Sequence, residues 1–216
     1  MAKPVTHSTK RRPWLSSAVC CAMLLALAGL YSYLMNPDVA GFLYDDGMYL
    51  MSAQSLITGQ GYRLPEIVGQ PLFYKYPPLY PSFLGVLLAI TPPLPHNIAW
   101  LKGFNILLSM ASLGLLFYYF RRFRQLSRAV SVGLCLLIAT NWRWIEVSIE
   151  LMSEPLFFFW TLLALLAAEH ALRRQDVGEM RPVSLAMLVL LSVLAFYTRT
   201  MGLVLVLALG LWGWLR

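Results

Sequence analysis

Acids are scarce in this sequence: ten Asp and Glu among 216 residues. Charged residues together make up 12% of the chain against 59% hydrophobic, and the mean hydropathy is +0.64. A soluble domain carries about 25% charged residues, so an ordinary soluble globular protein is excluded. Cysteine is scarce as well. Cys20, Cys21 and Cys135 lie inside apolar runs, show no metal-ligand spacing and offer no disulfide framework, so they read as packing residues. His7, His96 and His170 are scattered along the chain and receive no metal role. No internal repeat or low-complexity tract is visible, which removes solenoid architectures. The net charge of +7 does not point to nucleic acid. The basic residues fall at the ends of apolar segments, which is what membrane topology requires, and form no patch.

What is present is a series of apolar segments, several of them near the roughly 17 to 25 residues that span a bilayer as a helix. The reading is an all-α polytopic membrane protein with about six transmembrane helices and short juxtamembrane helices in the first external loop. The first span covers 14–35 and follows Lys10, Arg11 and Arg12. Its "ALAG" resembles a signal-peptide cleavage site, but the apolar run continues through "LYSYLM", so an uncleaved anchor is expected. Residues 36–97 form a Pro- and Gly-rich external loop with two helices: one over 45–58, stopped by Gly59, and one after Pro77 and Pro78 along "LYPSFLGVLLAI". The second is short for a span and is placed in the interface plane. Five further spans follow at about 98–120, 129–147, 155–172, 183–198 and 201–215, so 1–216 is one transmembrane domain. With this topology twelve of the seventeen Lys and Arg are cytoplasmic: four before the first span, four in "RRFRQLSR", then Arg173, Arg174, Arg181 and Arg216. A spanning Pro-rich helix would move "RRFRQLSR" outside and break the pattern.

This topology makes the few acids informative. Asp38, Asp45, Asp46 and Glu66 are external, and Glu150 and Glu154 in "SIELMSEPLFFFW" lie at the external mouth of two spans. If that segment is helical, these two glutamates share a face. Lys75 and Arg199 stand at the same level. Each has a plain structural reading too. One aspartate of "DDGMYL" caps the following helix, "SEP" is a good helix start, and Lys75 and Arg199 serve equally as snorkelling residues.

The order of these pieces resembles the GT-C superfamily of polyprenyl-phosphate-sugar glycosyltransferases, of the protein O-mannosyltransferase and aminoarabinose-transferase type. The resemblance rests on "YDDGMYLMSAQSLITGQGY", "YKYPPLYPSFLGVLLA", "SEPLFFFWTLLAL" and "YTRTMGLVLVLAL", in that order, and covers residues from about 14 onward. It implies transfer of a sugar from a polyprenyl-phosphate donor to a hydroxyl of a protein, lipid or glycan acceptor at the external face of a bacterial cell membrane, with inversion. It assigns Asp45 as the base, Asp46 to the helix start or to supporting the acceptor, and Glu154 to orienting the acceptor or holding a divalent metal. Lys75 and Arg199, with Arg63 as a weaker candidate, become the phosphate contacts. No metal ligand set is fixed. In the aminoarabinose-transferase type a Glu-Lys pair precedes the two prolines, whereas here Lys75-Tyr76 stands there. Family members are also longer, so the chain is expected to lack their C-terminal part. The rivals are a polytopic transporter and a non-catalytic membrane subunit. On this reading Asp45→Asn abolishes transfer and Asp46→Asn is mild.

The topology is checked by single cysteines in a background without Cys20, Cys21 and Cys135. A membrane-impermeant thiol reagent applied from outside is expected to label Glu66→Cys and to spare Arg124→Cys. Equal labelling of both overturns the arrangement.

Overall fold

The computed structural model describes residues 13–69, 71–175 and 182–214, and among these all regular structure is helical. Arg181, Arg216 and the basic residues before Pro13 lie outside the described residues. The nine described helices are α1 (Pro13–Leu34), α2 (Asp45–Ile57), α3 (Leu79–Ile90), α4 (Ile98–Arg122), α5 (Arg128–Ala139), α6 (Trp142–Ile149), α7 (Glu154–Gln175), α8 (Pro182–Thr198) and α9 (Gly202–Trp214). The expected helices over 45–58 and after Pro78 are therefore present. At about 1.5 Å per residue, α4 is about 37 Å long and exceeds the roughly 30 Å of a bilayer's hydrocarbon core. Among the described residues it is the one helix both long and apolar enough to cross a membrane by itself. The bent pair α5 and α6 makes a second if taken together.

That pair corrects the single span expected over 129–147. The chain breaks after Ala139 and turns by 64° into α6. The local chemistry explains the break. The Asn141 side chain accepts from the backbone N–H groups of Arg143 and Trp144, which is the N-cap of a new helix. On the other side of the break, the Tyr31 hydroxyl donates to the Ala139 carbonyl at 2.7 Å, satisfying a group that the ended helix leaves open.

A second break corrects the shared face of Glu150 and Glu154. Glu150 closes α6 in extended backbone (φ −110°, ψ 169°), and α7 begins only at Glu154. The two carboxylates leave this segment toward different partners.

Helix α4 lies between two apolar cores. On one side Leu101 and Leu108 join Tyr49 and Ala53 of α2, Tyr80 and Leu84 of α3, and Leu151 and Leu156. On the other, Ile106, Met110 and Leu113 meet Tyr31 of α1, Ala139, and Ile145 and Ile149 of α6. Helix α7 packs against α4 and α8, and α9 returns along α8. The outward side chains of the last two helices are apolar: Val183, Leu185, Val189, Leu203, Val204 and Leu207 are all exposed.

The return of α9 along α8 depends on Gly202. A Cβ there would stand 2.5 Å from both the N and the Cα of Phe196, backbone atoms with no freedom to rotate away. Gly202→Ala is expected to force α9 off α8 and to cost about 1–3 kcal/mol, the usual range for overpacking. A thermal melt in detergent reads the loss, and an unchanged midpoint would show that the turn accommodates the methyl group.

Candidate functional site

Successive residues in a helix point about 100° apart, so two adjacent aspartates in the first turn of α2 cannot share a task. Asp46 turns inward and is fully buried. Its carboxylate accepts from four backbone N–H groups: Gly41 at 2.7 Å, Phe42 at 3.0 Å, Leu43 at 3.1 Å and Gly47 at 2.9 Å. The loop before α2 is wrapped around this one side chain. Gly41, at φ +92°, and Gly47 meet back to back, and a Cβ on Gly47 would lie 3.2 Å from the Gly41 Cα. Tyr44 then turns the chain sharply into the helix. With φ +64° and ψ −53°, and the Asp45 N–H donating to the Leu43 carbonyl at 2.7 Å, it forms the rare, strained kind of γ-turn. Such a conformation costs about 1–3 kcal/mol and persists only where the surroundings enforce it. Here the Asp46 carboxylate enforces it.

Asp45 points the other way, toward solvent and the "YKYPP" segment. Its Oδ1 lies 3.4 Å from the Lys75 Nζ, across thirty residues of sequence. The Lys75 ammonium also faces two rings, with centroids at 5.3 Å for Tyr44 and 4.7 Å for Tyr76. The hydrogen bond to Tyr76, then the Asp45 charge, raises the Lys75 pKa. Burial, and next the hydrogen bond to Asp45, raises that of the Tyr76 phenol. The segment that presents Lys75 is held by the antiparallel bridge between Arg63 and Leu72 and by the Tyr62 hydroxyl, which donates to the Tyr76 carbonyl at 3.0 Å. Arg63 itself is exposed on that bridge.

A second carboxylate–cation pair forms where α7 begins. Arg199, in the turn between α8 and α9, places Nη1 2.5 Å from Glu154 Oε1 and 3.3 Å from the Ser153 Oγ. Glu154 Oε2 is buried with no hydrogen-bond partner. Tyr49, one helical turn beyond Asp45, joins the two pairs. Its hydroxyl stands 3.0 Å from Ser153 Oγ, and its ring lies 5.0 Å from the rings of both Tyr76 and Tyr80. Asp45, Lys75, Glu154 and Arg199 thus sit on one connected framework, with Asp46 beneath it. Arg63 does not line the cavity beside Lys75.

Two cavities open next to the pairs. One of about 350 Å³ is lined by Lys75, by rings from the loop over 36–97 including Tyr62, Phe73 and Tyr76, by Phe196 and Tyr197 at the end of α8, and by Thr200 in the turn to α9. The other, about 510 Å³, runs between the bent α5–α6 pair and Glu154, with Leu137, Ile138, Trp144 and Val147 as apolar walls. Among the described residues no group of three His, Cys, Asp or Glu side chains is arranged to hold a metal ion.

The sequence reading missed Lys102. It is fully buried in α4, with Nζ 2.6 Å from Glu150 Oε2 and donating to the Asn36 carbonyl at 3.1 Å. Burial pushes the Glu150 carboxyl up, and the Lys102 ammonium opposes that rise. The signal was available: Lys102 is the one charge within the apolar run 98–120, and such a residue needs a partner. Asn105 escaped notice for the same reason. Its amide donates to the carbonyls of Glu150 at 2.7 Å and Met152 at 2.9 Å, and its oxygen accepts from Tyr80 at 3.2 Å. Comparison with models of protein families, with curated proteins and with solved structures yields no match.

The geometry reverses the mild outcome expected for Asp46→Asn. Asparagine keeps one acceptor oxygen and turns an NH₂ toward backbone donors, so two of the four N–H groups lose their acceptor. Each unsatisfied buried group costs about 1–3 kcal/mol. Hydrogen exchange at the amides of Gly41, Phe42, Leu43 and Gly47 is expected to accelerate sharply in the variant. Unaltered protection at these amides would contradict the role assigned to the carboxylate.

Proposed function

We propose that the protein is a polytopic membrane glycosyltransferase that moves a sugar from a polyprenyl phosphate to an acceptor hydroxyl at the external membrane face. The observation that carries this reading is the convergence of two carboxylate–cation pairs from four distant stretches of chain, Asp45 with Lys75 and Glu154 with Arg199, joined through Tyr49 and Ser153. In this reaction the Asp45 carboxylate accepts the proton of the acceptor hydroxyl. The freed oxygen attacks the anomeric carbon, and the bond from that carbon to the phosphate oxygen breaks. The electron pair leaves with the lipid phosphate, whose charge Lys75 and Arg199 stabilise. A single displacement inverts the anomeric centre. Glu154, on the wall of the second cavity, orients the acceptor.

The six-span arrangement, with a cytoplasmic N-terminus, belongs to the same proposal. It is supported by the charge distribution and by the outward apolar side chains of α8 and α9, which a lipid environment would cover. A transporter would need charges lining a path near the midplane. The charged residue of α4 and two of its buried polar neighbours are instead engaged, Lys102 by Glu150, Asn105 by Tyr80 and the break, and Ser109 by Ser148 at 2.8 Å, which leaves the Ser112 hydroxyl as the one unpartnered buried polar side chain of this helix. That favours the enzyme.

The test is transfer of label from a radioactive polyprenyl-phosphate sugar in membranes holding the protein. Positioned bases contribute roughly a hundred- to ten-thousand-fold in rate, so Asp45→Asn is expected to lower transfer by that factor while the protein still inserts and folds. Near-normal transfer by Asp45→Asn removes the base from the mechanism.

A further inference from the structure

Lys75 stands between two places. It is half-exposed, at 54%, and its bond to Asp45 is the longest of the ion pairs among the described residues, 3.4 Å against 2.5 Å for Arg199 with Glu154. Lys75 also lines the 350 Å³ aromatic cavity, whereas Asp45 does not. Rotation about the four-carbon stem therefore swaps a neighbouring carboxylate for whatever the cavity contains. A half-exposed ion pair is worth little. The phosphodiester of a polyprenyl-phosphate sugar brings a full negative charge and two free acceptor oxygens to the ammonium, enough to compete with a carboxylate held at 3.4 Å. A phosphate monoester brings nearly twice that charge and three acceptor oxygens. The ring walls from Tyr62, Phe73, Tyr76, Phe196 and Tyr197 suit the apolar or sugar portion attached to such a group.

We infer that Lys75 is a ligand-operated latch: a phosphate group entering the aromatic cavity draws the ammonium off Asp45 and leaves the Asp45 Oδ1 open to an acceptor hydroxyl. The phosphate-bearing ligand must then bind first, and the acceptor meets a free carboxylate only after it has arrived. In the absence of phosphate Lys75 occupies the Asp45 Oδ1, so a hydroxyl must compete with the ammonium for that oxygen. The Tyr44 and Tyr76 rings keep the ammonium close to both positions. This inference rests on the reading of Asp45 as the base, but the exchange itself does not require that any sugar be transferred.

The experiment measures binding of dodecyl phosphate to the full chain in maltoside detergent by calorimetry, for the wild type, Lys75→Met, Asp45→Asn and the double variant. Asp45→Asn removes the competitor and is expected to bind roughly two- to fivefold tighter. Lys75→Met is expected to bind roughly ten- to a hundredfold weaker, and the double variant is expected to match it. Inorganic phosphate passed through the same four proteins identifies the source. The same pattern with inorganic phosphate assigns the latch to a free anion, and a pattern confined to dodecyl phosphate assigns it to a lipid head group. Unchanged or weaker binding by Asp45→Asn overturns the latch. A gain that persists in the Lys75→Met background does the same, because it reflects the lost negative charge alone. Intact binding behaviour without any sugar transfer would sink the proposed reaction and leave the latch standing, and transfer without the binding pattern would do the reverse.

Discussion

Between Ile149 and Glu154 the chain is not helical, and α4 supplies what that stretch of backbone lacks. Polar backbone groups withdrawn from water need partners. Asn105 donates to two carbonyls of the break, Lys102 holds the Glu150 carboxylate, and Ser109 reaches Ser148. These three α4 side chains follow one another at helical spacing, three and then four residues apart, so a single face of one straight helix secures the whole segment. A buried ion pair is a poor source of stability in itself, since desolvation offsets much of the attraction. Its contribution here is positional. With Glu150 turned toward Lys102, the chain emerges from the break with Ser153 and Glu154 directed at Arg199 and Tyr49.

The loop over 36–97 adds a different principle. Its helices α2 and α3 join the core of α4, whereas the stretch that leads into α2 borrows its order from a single buried carboxylate. Four amide donors around Asp46 fix residues 41–47 and leave Tyr44 in strained backbone. That strain aims the first turn of α2 so that Asp45 faces the Lys75 segment. Tyr49, one turn later, transmits the register of α2 to the break through Ser153. The loop and the bundle are therefore aligned through hydroxyls, rings and a shared apolar core.

Apolar runs and basic flanks made the helices legible: α1, α4, α7, α8 and α9 begin and end close to where hydropathy placed them, and Asp45 and Gly59 bracket α2 as expected. The break at Asn141 was not legible from hydropathy, because "LLIATNWRWIEVSI" is apolar enough on average to read as one span despite Thr140, Asn141, Arg143 and Glu146, and the deciding event is a local cap. The site divided in the same manner. Composition brought Asp45, Asp46, Lys75, Glu154 and Arg199 to one level. Their pairing was hidden, because Lys75 and Asp45 are thirty residues apart and Glu154 and Arg199 forty-five, so a fold is needed to join them. Lys102 and Asn105 stayed invisible for a plainer reason: a polar residue in an apolar run signals a partner and does not name it.

The contrast between the two aspartates shows how a site of this kind is assembled. A carboxylate with all its oxygens committed to backbone donors has no capacity left for a substrate, however close it stands. Asp46 is in that position, and its burial makes the commitment permanent. Asp45 has one ammonium at 3.4 Å, the Tyr76 phenol and open solvent beside it, so it retains capacity for a competitor. Of the two, Asp45 is therefore the carboxylate with capacity left to meet a ligand. The tightly held one sets the geometry in which its neighbour is displayed, and adjacency in a helix is the shortest way to give two identical side chains these opposite duties.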